Sequence, residues 1–256
     1  FPYTTLFRSF FSMRAALLQQ TVLPCQDLKN LSQALYLASS ALEMGAEILV
    51  YPELFLSGFC YEPIDRFWER GTAAFEELDP FRALAKDSDC LIIGSVRGGR
   101  SNLGFCLDRT GLKLRPKIHP FGEEKKHFDG GDSISPIATR WGRVGLEICY
   151  DLRFPEVARS LALQDADFLV TVAQFPAQRE EQWRALSLAR AIENQIPHLA
   201  CNWAEGGGSM IISARGTVLA EAESGEEIIF GEVDLSERDQ VRGEIPCFSD
   251  RRPEVY

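Results

Sequence analysis

Basic residues are in short supply: 27 lysines and arginines face 37 aspartates and glutamates over 256 residues, a formal net charge of −10. A general nucleic-acid binder needs the opposite balance, because phosphate contacts draw on a basic surplus. Pairs of the CxxC type are missing too. The seven cysteines, at positions 25, 60, 90, 106, 149, 201 and 247, stand apart and are odd in number. Neither a zinc site nor a disulfide framework is suggested, and reduced thiols in a cytoplasmic protein fit most of them. No apolar run reaches the ~18 residues of a membrane span. No low-complexity linker divides the chain, and 45% apolar with 25% charged residues suits one domain with a sizeable core.

Residues 1–12, FPYTTLFRSFFS, lack the ordered n-region, sustained apolar stretch and small-residue cleavage site of a signal peptide. The segment PYTTLFRS resembles peptides made when sequencing-adaptor DNA is translated into the start of a gene. The expectation is a non-native extension over 1–12 and a domain over 13–256 that begins at Met13, with MRAALLQQ as its first strand.

From Asp27, a candidate N-cap, Leu28, Leu31, Leu35, Ala38 and Leu42 recur at helical steps, with Gly45 as a stop. EILVYPE follows as a buried strand, so strand, helix and strand form a crossover with a parallel pair. CLIIGSVR, NLGFCLD and GLKLRPKIH read as a meander. IATRWGRVGLEICY reads as a strand pair turning at Gly142. A helix is expected from Pro155 to Gln164, then the strand FLVTVAQF, the helix REEQWRALSLARAIENQ and the strand HLACNW. SMIISARG, TVLAEA and EIIFGEVD close the chain as short strands. This is one α/β domain, and periodicity leaves two stacked sheets and one doubly wound sheet both open.

In GLEICYDLRFPE (145–156) an apolar strand delivers Cys149 into a charged turn. Free cysteine is usually a small buried hydrophobe; a nucleophile needs a base or a cation to meet its pKa of about 8.5. The histidines are His119, His127 and His198, and spacing pairs none of them with Cys149. Glu53 and Lys117 also sit where strands end. Singly, each has a bland reading, a backbone cap or a solvated charge.

Together, YPELFLSGF (51–59), KIHPFGEE (117–124) and GLEICYDLRFPE resemble the three signature segments of the nitrilase superfamily, the carbon–nitrogen hydrolases. FPAQREEQWRALSLARAIENQ, NW at 202–203, GGSMIIS and the terminal RRPEVY are similar to further segments, in order, from Met13 to Tyr256. The resemblance implies a four-layer α-β-β-α sandwich, a homodimer and no metal or organic cofactor. It implies Glu53 as general base, Lys117 as support for the tetrahedral intermediate and Cys149 as nucleophile. A second glutamate follows the lysine in the family. Glu123 and Glu124 are the candidates, and counting back from KHF selects Glu124. Tyr150, through its N–H, together with Phe175 and Trp203, is placed at the substrate. Arg153 and Glu156 are expected to pair and fix the turn, and Cys201 to be an inert core thiol.

The expected reaction is hydrolysis of a small linear amide through a thioester on Cys149. Compact members with CYDLRFPE and ARAIENQ are similar to omega-amidases, which act on the terminal amides of 2-oxo acids. Hydrolysis of an N-carbamoyl compound is the same-class alternative, and a catalytically silent scaffold that binds small amides or a partner is the rival of another class. Pro120, where relatives commonly have leucine, and the short loop over 118–128 bear on substrate choice.

Overall fold

The computed structural model describes residues 12–61 and 75–255, so the adaptor-like segment lies almost wholly outside the described residues. The chain order is β1 (Ser12–Gln19), α1 (Asp27–Glu43), β2 (Ile48–Val50), α2 (Asp79–Asp87), β3 (Leu91–Gly98), β4 (Ser101–Asp108) and β5 (Gly111–Pro116). A short α3 (Glu124–His127) follows, then β6 (Ile137–Thr139), β7 (Gly142–Ile148), α4 (Pro155–Leu163), β8 (Phe168–Ala173), α5 (Glu180–Asn194) and β9 (His198–Asn202). The chain ends with β10 (Met210–Ile212), β11 (Val218–Glu221), β12 (Glu227–Asp234) and α6 (Glu237–Glu244).

Two six-stranded sheets result, ordered β12-β1-β2-β3-β4-β5 and β11-β10-β9-β8-β7-β6. The two stacked sheets, and not the doubly wound one, are what forms. β1, β2 and β3 run parallel, as do β7, β8 and β9. Their inward faces, among them Leu17, Ile93, Leu146, Ile148, Val172 and Cys201, make the central core. Sheets approach closely enough at Gly104 that a Cβ there would lie 2.6 Å from Leu146 Cδ2, which only glycine avoids. α1 and α2 cover the outer face of the first sheet, and α4 and α5 that of the second. β12 leaves its sequence neighbours and pairs antiparallel with β1 along Ser12–Gln19.

Three local expectations need correction. Asp27 does not cap α1; Gln26 holds that position and Asp27 opens the helix. The fully buried stripe of α1 is Asn30, Ala34, Leu37, Ala38 and Ala41; of the expected face, Ala38 is buried, Leu31, Leu35 and Leu42 pack half-buried against the core, and Leu28 alone is 83% exposed. Small alanines let the helix lie close to the sheet, and Asn30 is admitted because its amide donates to the Leu23 and Leu56 carbonyls. Finally, Cys25 and Cys60 are joined in a disulfide where none is suggested by the sequence, while the other five cysteines are free thiols; closing a loop of that length stabilises a fold by about 3 to 4 kcal/mol. The bond ties the segment after β1 to the segment after β2.

Candidate active site

Strand ends do the positioning. Glu53 follows β2, Lys117 follows β5, Cys149 follows β7, Gln174 follows β8 and Trp203 follows β9. The parallel strands of each sheet release their carboxyl ends on one side, the side where open α/β sheets hold their ligands. Cys149 itself takes a left-handed backbone conformation, φ +49°, and starts the 3₁₀ turn Cys149–Arg153. A cysteine held at positive φ is strained; here the strain breaks the strand and turns the thiol out of the sheet.

Asp151 secures that turn. Its carboxylate accepts from the backbone N–H groups of Ile148, Ile118 and His119 at 3.2, 3.3 and 2.8 Å. One buried side chain therefore binds the nucleophile's segment to the lysine's. Arg190 of α5 reinforces it from behind, donating to the Leu152 carbonyl at 3.0 and 2.7 Å. Arg153 does not pair with Glu156, contrary to expectation. Its guanidinium instead donates to Gln182 of α5 at 2.8 Å and lies over the Phe175 ring.

Lys117 Nζ stands 2.7 Å from both Glu53 Oε1 and Glu124 Oε2, and all three side chains are buried. Glu123 is the exposed neighbour, paired with Lys126 at 2.9 Å, so it is Glu124 that reaches the lysine. Burial works to lower the Lys117 pKa, but the surrounding Glu53, Cys149 and Glu124 outweigh it and hold the ammonium above its usual range. Glu53 is pushed up by burial despite that ammonium. The Cys149 thiol, hydrogen-bonded to Glu53, is pushed well above the ordinary range by burial first and by Glu53 second. Both influences favour the thiol over the thiolate in the resting site.

A cavity of about 430 Å³ opens over these groups, lined by Lys117, Glu124, Cys149, Gln174, Phe121 and Trp203 among others. The Cys149 thiol faces the Gln174 carbonyl at 3.6 Å. Trp203 walls the cavity and its indole N–H donates to the Glu53 carbonyl at 2.6 Å. Phe175 lies behind this wall, against Trp183, and Tyr150 rests its ring on Phe121. The three histidines are occupied elsewhere: His119 contacts Asp151, His127 stacks on Tyr61 and His198 meets Thr171. Cys201 is fully buried, its thiol donating to the Val50 carbonyl.

Asn102 escaped the sequence reading. Its amide donates to Glu53 at 2.8 Å and reaches Glu124 at 3.4 Å, which fixes both carboxylates. Nothing in SNLGF separates it from any strand-opening asparagine.

The profile of the carbon-nitrogen hydrolase family matches residues 14–243. This chain belongs to that family. The carbon–nitrogen hydrolase is 33% identical to the 2-oxoglutaramate amidase of Bacillus subtilis over 227 residues, spanning 82% of this chain and 87% of that one. Omega-amidase NIT2 of Homo sapiens is 29% identical, over 96% of this chain and 97% of its own. Among solved structures, a carbon-nitrogen hydrolase from Helicobacter pylori G27 superposes with a TM-score of 0.87 at 26% identity, covering 96% of this chain and 97% of the other. The hydrolase thus shares the fold of its family. No helix among the described residues is long and apolar enough to cross a membrane.

One further buried group of the hydrolase lies behind the nucleophile. Thr171 Oγ1 stands 3.2 Å from Glu147 Oε2 and 2.8 Å from His198 Nε2, while His198 Nδ1 lies 2.9 Å from the Ser187 carbonyl. That carbonyl can only accept, so Nδ1 carries hydrogen. The threonine has one hydrogen to give, so the glutamate and histidine together must hold one further proton. Burial raises the Glu147 pKa to about 8 and lowers that of His198 to about 4, which places the proton on Glu147. A raised carboxyl pKa contributes stability that is present below its ordinary value and lost as pH rises toward 8. The histidine's contribution is lost only as pH falls from its ordinary 6.5 toward 4, so Glu147 acts alone between pH 6.5 and 8. Over that window the wild type is expected to lose ~2 kcal/mol that Glu147→Gln keeps. Urea unfolding at both pH values measures it; parallel losses in the two proteins would mean that Glu147 is charged throughout.

Proposed function

We propose that this carbon–nitrogen hydrolase releases ammonia from the terminal amide of a short 2-oxo acid, by way of a thioester on Cys149. The observation that carries the reading is the double engagement of Lys117 by Glu53 and Glu124 on the floor of the cavity that holds the thiol. The amidase names of its relatives favour the substrate.

In the first step Glu53 takes the thiol proton as sulfur attacks the amide carbon. The carbonyl electrons move onto oxygen, where the Lys117 ammonium and the Tyr150 N–H stabilise the oxyanion. Collapse breaks the C–N bond, and the proton on Glu53 passes to the departing nitrogen, giving ammonia and a thioester. Glu53 then removes a proton from water as its oxygen attacks the thioester carbon. The second tetrahedral intermediate expels sulfur, which recovers the proton, and the acid leaves. No metal or cofactor has a part in this sequence.

Trp203 would line the acyl side and Phe175 would support it through Gln174. A homodimer in the cytoplasm belongs to the same reading. The free thiols of Cys90, Cys106, Cys149, Cys201 and Cys247 favour that compartment, while the Cys25–Cys60 bond weighs against it.

Ammonia release from 2-oxoglutaramate, glutaramate, simple aliphatic amides and N-carbamoyl amino acids tests the proposal. Turnover highest on the first two is the expected result. Turnover confined to the carbamoyl compounds would overturn the substrate class, and ammonia from none of them would overturn the activity.

A further inference from the structure

Charge in the cavity poses a problem that the catalytic groups do not solve. Lys117, at the base, is shared between two carboxylates, and Glu123 adds a third carboxylate to the wall. An amide whose far end is itself a carboxylate therefore enters against a negative potential, and like charge at close range weakens binding. Such a substrate calls for a cation at the mouth.

The cations around the mouth differ in how they are employed. Lys126 is paired with Glu123. Arg97 donates to the Cys60 carbonyl and lies over Phe128. Arg153 is turned to Gln182 and Phe175. Arg179 is exposed, at the end of the 3₁₀ turn Ala177–Arg179 that continues from cavity-lining Gln174. Its guanidinium stands 5.7 Å from the ring centroid of Phe121, a lining residue that is 45% exposed. Among the described residues no carboxylate pairs with it. The acidic Glu180 beside it in sequence forms no ion pair with it among the described residues, and its Cγ stands 4.0 Å from where a Cβ on Gly208 would be. An arginine braced on an aromatic ring keeps its donors in a planar fork suited to a carboxylate.

The geometry points to Arg179 as the residue that receives the distal carboxylate of the substrate and so selects amides with an anionic far end over neutral amides of equal length. This rests on the amidase reading above and names the residue behind its substrate class. The guanidinium fork donates to the two carboxylate oxygens while the amide end lies at Cys149. The wall of the cavity between them, Phe121, takes the methylene chain.

The test compares kcat/KM for glutaramate with kcat/KM for pentanamide, in the wild type, Arg179→Gln and Arg179→Glu. The ratio is expected to fall about 10- to 100-fold in the glutamine variant, mainly through KM for glutaramate. It falls further in the glutamate variant, which gains turnover of 5-aminopentanamide, the amide with a cationic far end. Raising the salt concentration should shrink the wild-type ratio. Thermal melting alongside shows whether each variant is folded. If the wild type prefers glutaramate and both variants keep its ratio, Arg179 is not the selector while the amidase reading holds. If the wild type cleaves pentanamide and shows no preference for glutaramate, the substrate class itself falls, and this inference with it.

Discussion

Replacing Lys117 by methionine is expected to cost about 3 to 5 kcal/mol of stability at neutral pH and to slow amide hydrolysis about 10²- to 10³-fold. The two losses have one origin. Lys117 is buried between Glu53 and Glu124 at 2.7 Å from each, so its removal leaves two buried carboxylates without their counter-ion. Asn102 can still donate to both, but an amide dipole does not balance two charges. The carboxylates respond by taking up protons, so their pKa values in the folded chain rise. A raised carboxyl pKa costs nothing below the ordinary range and progressively more as pH rises. The variant should thus approach wild-type stability near pH 5 and depart from it by pH 7.5. Chemical denaturation at those two values reads the stability, and ammonia release reads the rate. A variant as stable as the wild type at pH 7.5 would show that the ammonium is not what holds the two acids together.

The grouping of the site's side chains is more legible in the sequence than the packing around them. That Glu53, Lys117 and Cys149 would lie together is legible because strands end on them and because three segments resemble a known order. What periodicity could not reveal was the stacking of two sheets, since that depends on which face of each strand meets another sheet. β12 illustrates the limit: EIIFGEVD reads as a strand wherever it pairs, and only the folded chain carries it back to β1. The same blindness left the most deeply buried positions of α1 incompletely marked. The spacing includes Leu28, which is exposed, and omits Ala34 and Ala41, which close approach to the sheet favours. Asn102 and Asp151 were missed as supports because their work is to receive or donate hydrogen bonds across more than thirty residues of sequence or between segments. The Cys25–Cys60 bond was missed because a lone pair among seven cysteines leaves no pattern.

Glu53→Gln separates two accounts of how the nucleophile is activated. If Cys149 rested as a thiolate stabilised by Lys117, removing the charge of Glu53 would favour that thiolate, and reaction with iodoacetamide would be unchanged or faster. The structure favours the other account. Burial and the adjacent Glu53 both push the thiol upward, so the proton has to leave as sulfur attacks, and burial makes Glu53 a stronger base than an exposed glutamate. Glutamine preserves the volume and can still accept from Lys117 and Asn102 through one oxygen, yet it cannot take a proton. The expected result is a fall in kcat of about 10²- to 10⁴-fold, with slower alkylation of Cys149 by iodoacetamide at pH 7 and a folded chain by circular dichroism. The alkylation rate is the deciding measurement, because a general base and a thiolate-repelling charge move it in opposite directions. Faster alkylation in Glu53→Gln would return the resting state to a thiolate and leave Glu53 with the leaving group alone.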